Sequence, residues 1–181
     1  MTPAADFTDR LATLDDLAAL RAVMRRAIEA LQDDFLTPEQ VRASHQVMGL
    51  DSQLIRDGTY FLIECGERIA GCGGWSWRST LFGGDDSVVS REPDALDPAT
   101  DPARIRAMYT DPDFVRRSVG RRVLALCEAA AMHAGFSRVA MMATMSGVPL
   151  YTACGYVPVE PVSATVDGVE VPLVRMEKPL G

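Results

Sequence analysis

Apolar residues recur at helical spacing through residues 15–31, where Leu17, Leu20, Val23, Met24, Ala27, Ile28 and Leu31 form one stripe among polar neighbours. Thr13 or Asp15 suits the start of that helix. A second helix is expected after Thr37-Pro38-Glu39-Gln40, with Thr37 as N-cap and Pro38 in the first turn, ending near Gly49. The period then shortens. TYFLIE, residues 59–64, is rich in strand formers, and the turn 65–68 leads into a second strand over 69–78, so the two predict a hairpin. Residues 79–103 keep no period and hold three prolines, two glycines and many acids. A loop of that length is usually functional or mobile. A short strand is expected over 105–110. The next helix carries Val119, Val123, Leu126, Cys127, Ala130 and Ala134 on one face and stops at Gly135. Residues 139–144 predict a strand, 148–154 a short helix closed by Gly155, and 156–159 and 169–176 two strands joined through a turn at Asp167-Gly168.

Alternation of strand and helix after residue 104 implies parallel pairing there, while both ends read as antiparallel. The expected class is α+β, a mixed central sheet flanked by helices. The 181 residues suit one domain over 1–181 with a long loop at 79–103. Apolar runs are broken by charge well before the length of a membrane span, and the acidic N-terminus lacks a basic-then-apolar signal pattern, so a cytoplasmic protein with no membrane partner is expected. The net charge of -7 argues against nucleic acid as a partner. Cys65, Cys72, Cys127 and Cys154 are scattered without CxxC spacing and read as free thiols. His45 and His133 have no ligand-like spacing, so no metal site is expected.

One segment runs against the acidic trend. DPDFVRRSVGRRVLALCEAAAMHAG, residues 111–135, reads as a strand exit, a turn with Arg116, Arg117, Arg121 and Arg122, and a helix. A helix N-terminus presents N–H groups without intrahelical partners and a partial positive charge. That is a seat for an anion, phosphate above all. A ligand containing a diphosphate at 115–122 is one reading; a solvated arginine face on an amphipathic helix is the other.

Two motifs carry a resemblance. Residues 111–120 resemble the pyrophosphate loop of the GNAT superfamily of acyl-CoA-dependent N-acetyltransferases, with Pro112 and Gly120 matching, followed by Leu124 and the 128–131 pattern. Leu150-Tyr151-Thr152-Ala153-Cys154-Gly155-Tyr156 resembles the family's Leu-Tyr-x-x-x-Gly-Phe/Tyr segment. The two stand in the family's order, and the resemblance covers roughly residues 10–178. It departs at Val115, where the family has Arg or Gln, and at Ser118, where it has its first glycine. At a positive φ, Ser118 would cost about 1 kcal/mol against glycine, so weaker or slightly rearranged CoA binding is expected. Many relatives place a glutamate base on the fourth strand, where Arg106 and Ala107 stand here.

The resemblance implies a GNAT-like fold, a largely antiparallel sheet with a splayed parallel pair in its middle. It implies acetyl-CoA as co-substrate and direct transfer to an amine-bearing acceptor. Met108, Tyr109 and Thr110 would pair with the pantetheine, and the Met108 N–H would face the thioester oxygen. The amides and side chains of Arg116, Arg117, Ser118, Val119, Gly120 and Arg121 would hold the diphosphate. Tyr151 would be the general acid for the departing thiolate; a core tyrosine is the structural alternative. Glu64 and Asp111 are candidate bases, and a water chain is an equal alternative. Trp75 and Trp77 alternate on one strand and face one side, where they would either line the acceptor cleft or pack in the core. The strand at 169–176 is available for pairing across a homodimer. A non-catalytic acyl-CoA-binding sensor or interaction module is the alternative function, prompted by Val115, Ser118 and the missing glutamate.

Overall fold

A seven-stranded sheet in the order β1-β2-β3-β4-β5-β7-β6 organises the protein. The computed structural model describes residues 6–88 and 94–181. The strands are β1 (Phe7–Leu11), β2 (Tyr60–Cys65), β3 (Arg68–Ser76), β4 (Ala103–Thr110), β5 (Arg138–Thr144), β6 (Val157–Val166) and β7 (Val169–Pro179). The helices are α1 (Leu17–Leu31), α2 (Pro38–Val47), α3 (Ser52–Arg56), α4 (Val119–His133) and α5 (Val148–Ala153). All neighbouring strands run antiparallel except β4 and β5. The mixed sheet and its central parallel pair are as expected from the chain.

The local signals act as written. Thr37 Oγ1 accepts from the Gln40 N–H at 3.2 Å and Gln40 Oε1 accepts from the Thr37 N–H at 3.0 Å, a reciprocal capping box at the start of α2. Gln40 Nε2 also donates to the Glu170 carbonyl at 2.9 Å, which ties α2 to β7. Two elements are additions to the expected set: β1, an edge strand whose residues are almost all exposed, and α3, only five residues long. Neither carries the apolar period that reveals longer elements. β6 extends to Val166, well past the expected 156–159.

The sheet has a core on each face. One gathers α1, α2 and α3 with Tyr60, Leu62, Tyr109 and Leu173. The other gathers α4 with Trp75, Ile105, Val139, Tyr151 and Tyr156. Glycines on β3 let α4 come close. A Cβ on Gly71 would meet Val119 Cγ1 at 2.5 Å, and one on Gly73 would meet Met108 Sδ at 2.2 Å and Val123 Cγ1 at 2.8 Å. These contacts bring the start of α4 onto the sheet beside the end of β4.

The described part of the long loop is anchored. Ser79 N–H donates to the Asp94 carbonyl at 2.8 Å and Leu96 N–H to the Trp77 carbonyl at 2.7 Å. Asp85 N–H donates to the Leu50 carbonyl at 3.0 Å. Residues 89–93 of the expected loop lie outside the described residues. The anchor from β4 is Arg106, whose side chain is 2% exposed; its Nη2 lies 3.1 Å from Asp51 Oδ2 and donates to the Gly83 carbonyl at 2.9 Å. Asp51 in turn caps α3 by accepting from the Gln53 N–H at 3.0 Å. Breaking a buried ion pair from one side costs about 3–5 kcal/mol. Arg106→Met is therefore expected to lower Tm by roughly 10 °C in a thermal melt. A melt unchanged within error would show that the pair is neutral to stability.

The fold sets the surroundings of β7 and of the two tryptophans. β7 lies between β5 and β6, where Leu173–Glu177 are paired on both sides while Val169–Pro172 pair with β6 alone and keep one edge without a strand partner. The outer edge of the sheet on that side belongs to β6, which carries Pro158 and Pro161. Proline lacks a ladder N–H and blunts an edge. The Trp75 and Trp77 rings do share a face, with centroids 5.7 Å apart, but Trp75 packs edge-on against Phe136 at 6.1 Å in the α4-side core. Neither is among the residues that line the cleft described next, because α4 and Phe136 cover that end of β3.

Candidate active site

β4 and β5 pair only at Ala103 with Val139 and Arg104 with Ala140. Beyond Arg104 the two strands part. A bulge in β4 helps to turn it away: the register against β3 shifts between Cys72 and Gly74, and Ala107 sits at φ 51°. A non-glycine residue there costs about 1–2 kcal/mol. The Tyr60 hydroxyl holds this geometry by donating to the Ala107 carbonyl at 2.7 Å. Such strain is commonly kept where a site needs it.

The gap opens into a cleft of ≈ 590 Å³. At one end it is walled by the turn before α4 and by the first turn of that helix, Arg116, Ser118, Val119, Gly120 and Arg121. Met108, Tyr109 and Thr110 form its β4 side, and Thr144, Ser146 and Gly147 its β5 side. Leu150 and Tyr151 of α5 also line it, as does Gln32, the residue that follows α1.

The turn is built from unusual backbone. Arg116 and Ser118 both have φ 62°, and Ser118 is the N-cap of α4. Its left-handed φ is the one that carries the serine cost weighed above. Alternating left-handed residues form a concave nest of N–H groups, a shape that suits anions. The first-turn N–H groups of Val119, Gly120 and Arg121 add donors without helical partners. Gly120 leaves the seat open; a Cβ there would meet Leu150 Cδ2 at 2.8 Å and Thr110 Oγ1 at 3.6 Å.

The four arginines divide. Arg116 and Arg121 line the cleft. Arg117 turns its guanidinium over the rings of Phe7 and Phe114, at 5.4 and 5.7 Å, and is not among the lining residues. Arg122 is tied to β1 through Asp9 and donates to the Phe7 carbonyl at 2.9 Å. Only the fold separates these roles, since all four look alike in the chain.

Tyr151 is buried, with its ring against Gly147, where a Cβ would meet ring carbon Cε2 at 2.6 Å. Burial pushes its phenol well above the ordinary tyrosine value. Tyr156 braces α5 by donating to Glu128 Oε1 at 2.9 Å, and Lys178 Nζ meets Glu128 Oε2 at 2.8 Å. Neither candidate base lines the cleft. Glu64 pairs with Arg10 at 2.9 Å. Asp111 is buried, lies 3.2 Å from Arg26 Nη2, and accepts from the Asp113 N–H. All four cysteines are free thiols; burial pushes Cys72, close to Tyr60, up to about 12.

Gln32 gave no signal in the chain beyond ending an apolar stripe. It is 2% exposed, its Nε2 donates to Met48 Sδ at 3.0 Å, and its Oε1 is the buried side-chain polar atom without a partner among the described residues.

The fold that carries this cleft is matched elsewhere. The family model for the acetyltransferase (GNAT) family matches residues 24–156. The chain belongs to that family. The GNAT fold is shared with solved structures at low identity. A GCN5-related N-acetyltransferase from Rhodopseudomonas palustris is 20% identical with a TM-score of 0.70, covering 96% of this chain and 95% of that one. The PaiA N-acetyltransferase from Thermoplasma acidophilum, solved in complex with coenzyme A, is 12% identical with a TM-score of 0.64, covering 96% and 99%. The ribosomal-protein-S18-alanine N-acetyltransferase from Escherichia coli is 17% identical with a TM-score of 0.59, covering 97% and 95%. At these identities the likeness speaks for the GNAT fold. A comparison with curated proteins finds no match. Among the described residues, no helix of this GNAT protein is long and apolar enough to cross a membrane.

Proposed function

We propose that this protein transfers an acetyl group from acetyl-CoA directly to a primary amine, with Tyr151 as general acid. The observation that carries the reading is the single cleft that joins the open turn before α4 to Tyr151 through the gap between β4 and β5. Amides of residues 116–121 seat the diphosphate, supported by the Arg116 and Arg121 charges. The parted edge of β4 at Met108–Thr110 pairs with the pantetheine amides, and the Met108 N–H stabilises charge growing on the thioester oxygen. The amine nitrogen lone pair forms the new C–N bond as the C–S bond breaks. The electron pair leaves on sulfur, Tyr151 gives it a proton, and the nitrogen loses a proton to solvent. Tyr151 is then recharged from solvent. With Glu64 and Asp111 held in ion pairs away from the cleft, a water path for that lost proton is favoured over either of them.

The test is amine-dependent release of free thiol from acetyl-CoA, read with a thiol reagent across a panel of primary amines. Release that scales with amine and stops without it is the expected result. Acetyl-CoA binding in calorimetry with no release from any amine would sink the catalytic reading and leave a CoA-binding sensor.

A further inference from the structure

Beyond Tyr151, on the α1 and α2 side of the sheet, a second chamber of ≈ 70 Å³ opens. It shares Met48, Met108, Tyr109, Thr144 and Tyr151 with the cleft, so the two meet at the acid proposed above. Its further wall includes Val47, Phe82, Met142 and Leu173, all from one apolar cluster. Among the described residues, the ionisable groups lining it are Arg106, Tyr109 and Tyr151. Arg106 meets Asp51 at 3.1 Å, which balances its charge at the wall. The Tyr109 hydroxyl donates to the Gly49 carbonyl at 3.0 Å, and burial raises both phenols, so the tyrosines stay neutral.

We propose that this chamber holds the body of the acceptor, and that the acceptor is a primary amine on a compact, uncharged, apolar group such as a short alkyl chain or a single ring. The inference rests on the acetyl-transfer reading and gives it a substrate class. The volume supports compactness, since a water-sized occupant needs about 10–15 Å³ on this measure, so the chamber admits roughly five such occupants. The wall supports lack of charge. An ammonium group carried into it would lose its hydration and meet methionine, leucine and phenylalanine in place of a carboxylate. The same wall favours the attacking nitrogen as free base, the form that reacts. A polyamine or other polycation is the class it rejects.

The test compares pentylamine with 1,4-diaminobutane, which have the same number of heavy atoms and differ by a terminal methyl against a terminal ammonium. With wild-type protein and saturating acetyl-CoA, kcat/KM for pentylamine is expected to exceed that for the diamine by about 100-fold. Phe82→Glu, on the half-buried loop wall, is expected to move that ratio toward the diamine by about 10-fold. An equal or higher kcat/KM for the diamine in the wild type overturns the inference while thiol release keeps the transferase reading. An unchanged ratio in a folded Phe82→Glu protein overturns the assignment of this chamber. If acetyl-CoA binds but neither amine nor any other releases thiol, both readings fall together.

Discussion

Gly120→Glu is expected to lower affinity for acetyl-CoA by about 100-fold or more while leaving the protein folded. The seat is open because residue 120 has no side chain, and the nearest atom to a new Cβ is Leu150 Cδ2 at 2.8 Å. That atom is the end of a flexible side chain and can step aside. A carboxylate in the first turn also suits the helix dipole, so α4 should tolerate it. The diphosphate would not. Like charges about 4 Å apart near a protein surface repel by about 4 kcal/mol, and each 1.4 kcal/mol is tenfold in affinity. Screening and a swing of the side chain toward solvent reduce that figure, and about 100-fold is what remains. Calorimetry with CoA reads the affinity, and a thermal melt checks the fold. Wild-type affinity in a folded variant would mean that the phosphoryl groups sit elsewhere.

Tyr151→Phe should cut turnover by about 100-fold, the lower end of what a positioned acid contributes. CoA affinity should hold. The ring is kept by packing, against Gly147 and edge-on to Tyr156 with centroids 6.1 Å apart, and phenylalanine preserves both contacts. The pH dependence carries a sign. In the proposed mechanism the useful form of the residue is the neutral phenol, and burial raises its pKa, which extends that form to higher pH. Wild-type turnover should therefore show no descending limb from this group up to about pH 10, the ordinary tyrosine value. Turnover in the phenylalanine variant equal to wild type at every pH would remove Tyr151 from the mechanism.

The local structure around the candidate site was legible where its signals are short in range. Pro112, Gly120 and the helix that follows them, and the run from Leu150 to Tyr156, stand out through their resemblance to GNAT motifs, each confined to a few turns of chain. The capping box at Thr37 and Gln40 is legible for the same reason, since both its bonds span three residues. The arginines show where such reading stops. Arg117 stacks on Phe7 and Phe114 and Arg122 meets Asp9, and those partners come partly from β1, an edge strand with no apolar run to reveal it. Trp75 and Trp77 were read correctly as sharing a face. Which body covers that face depended on Phe136, about 60 residues away in the chain.

Local spacing and turn chemistry alone determined that the chain alternates helix and strand after residue 104, that a helix start with an open glycine follows β4, and that Tyr151 lies on a short helix before a glycine stop. Hydrogen bonds within a turn and apolar stripes within a helix are set by neighbours in sequence. Only the tertiary structure decided that β4 and β5 part after two paired residues, that β7 runs between β5 and β6, that Arg116 and Arg121 face the cleft while Arg117 and Arg122 do not, and that a small chamber lies behind Tyr151. Each of those depends on which distant surfaces bury one another, through contacts such as Tyr60 with Ala107 and Arg106 with Asp51 that no local pattern encodes.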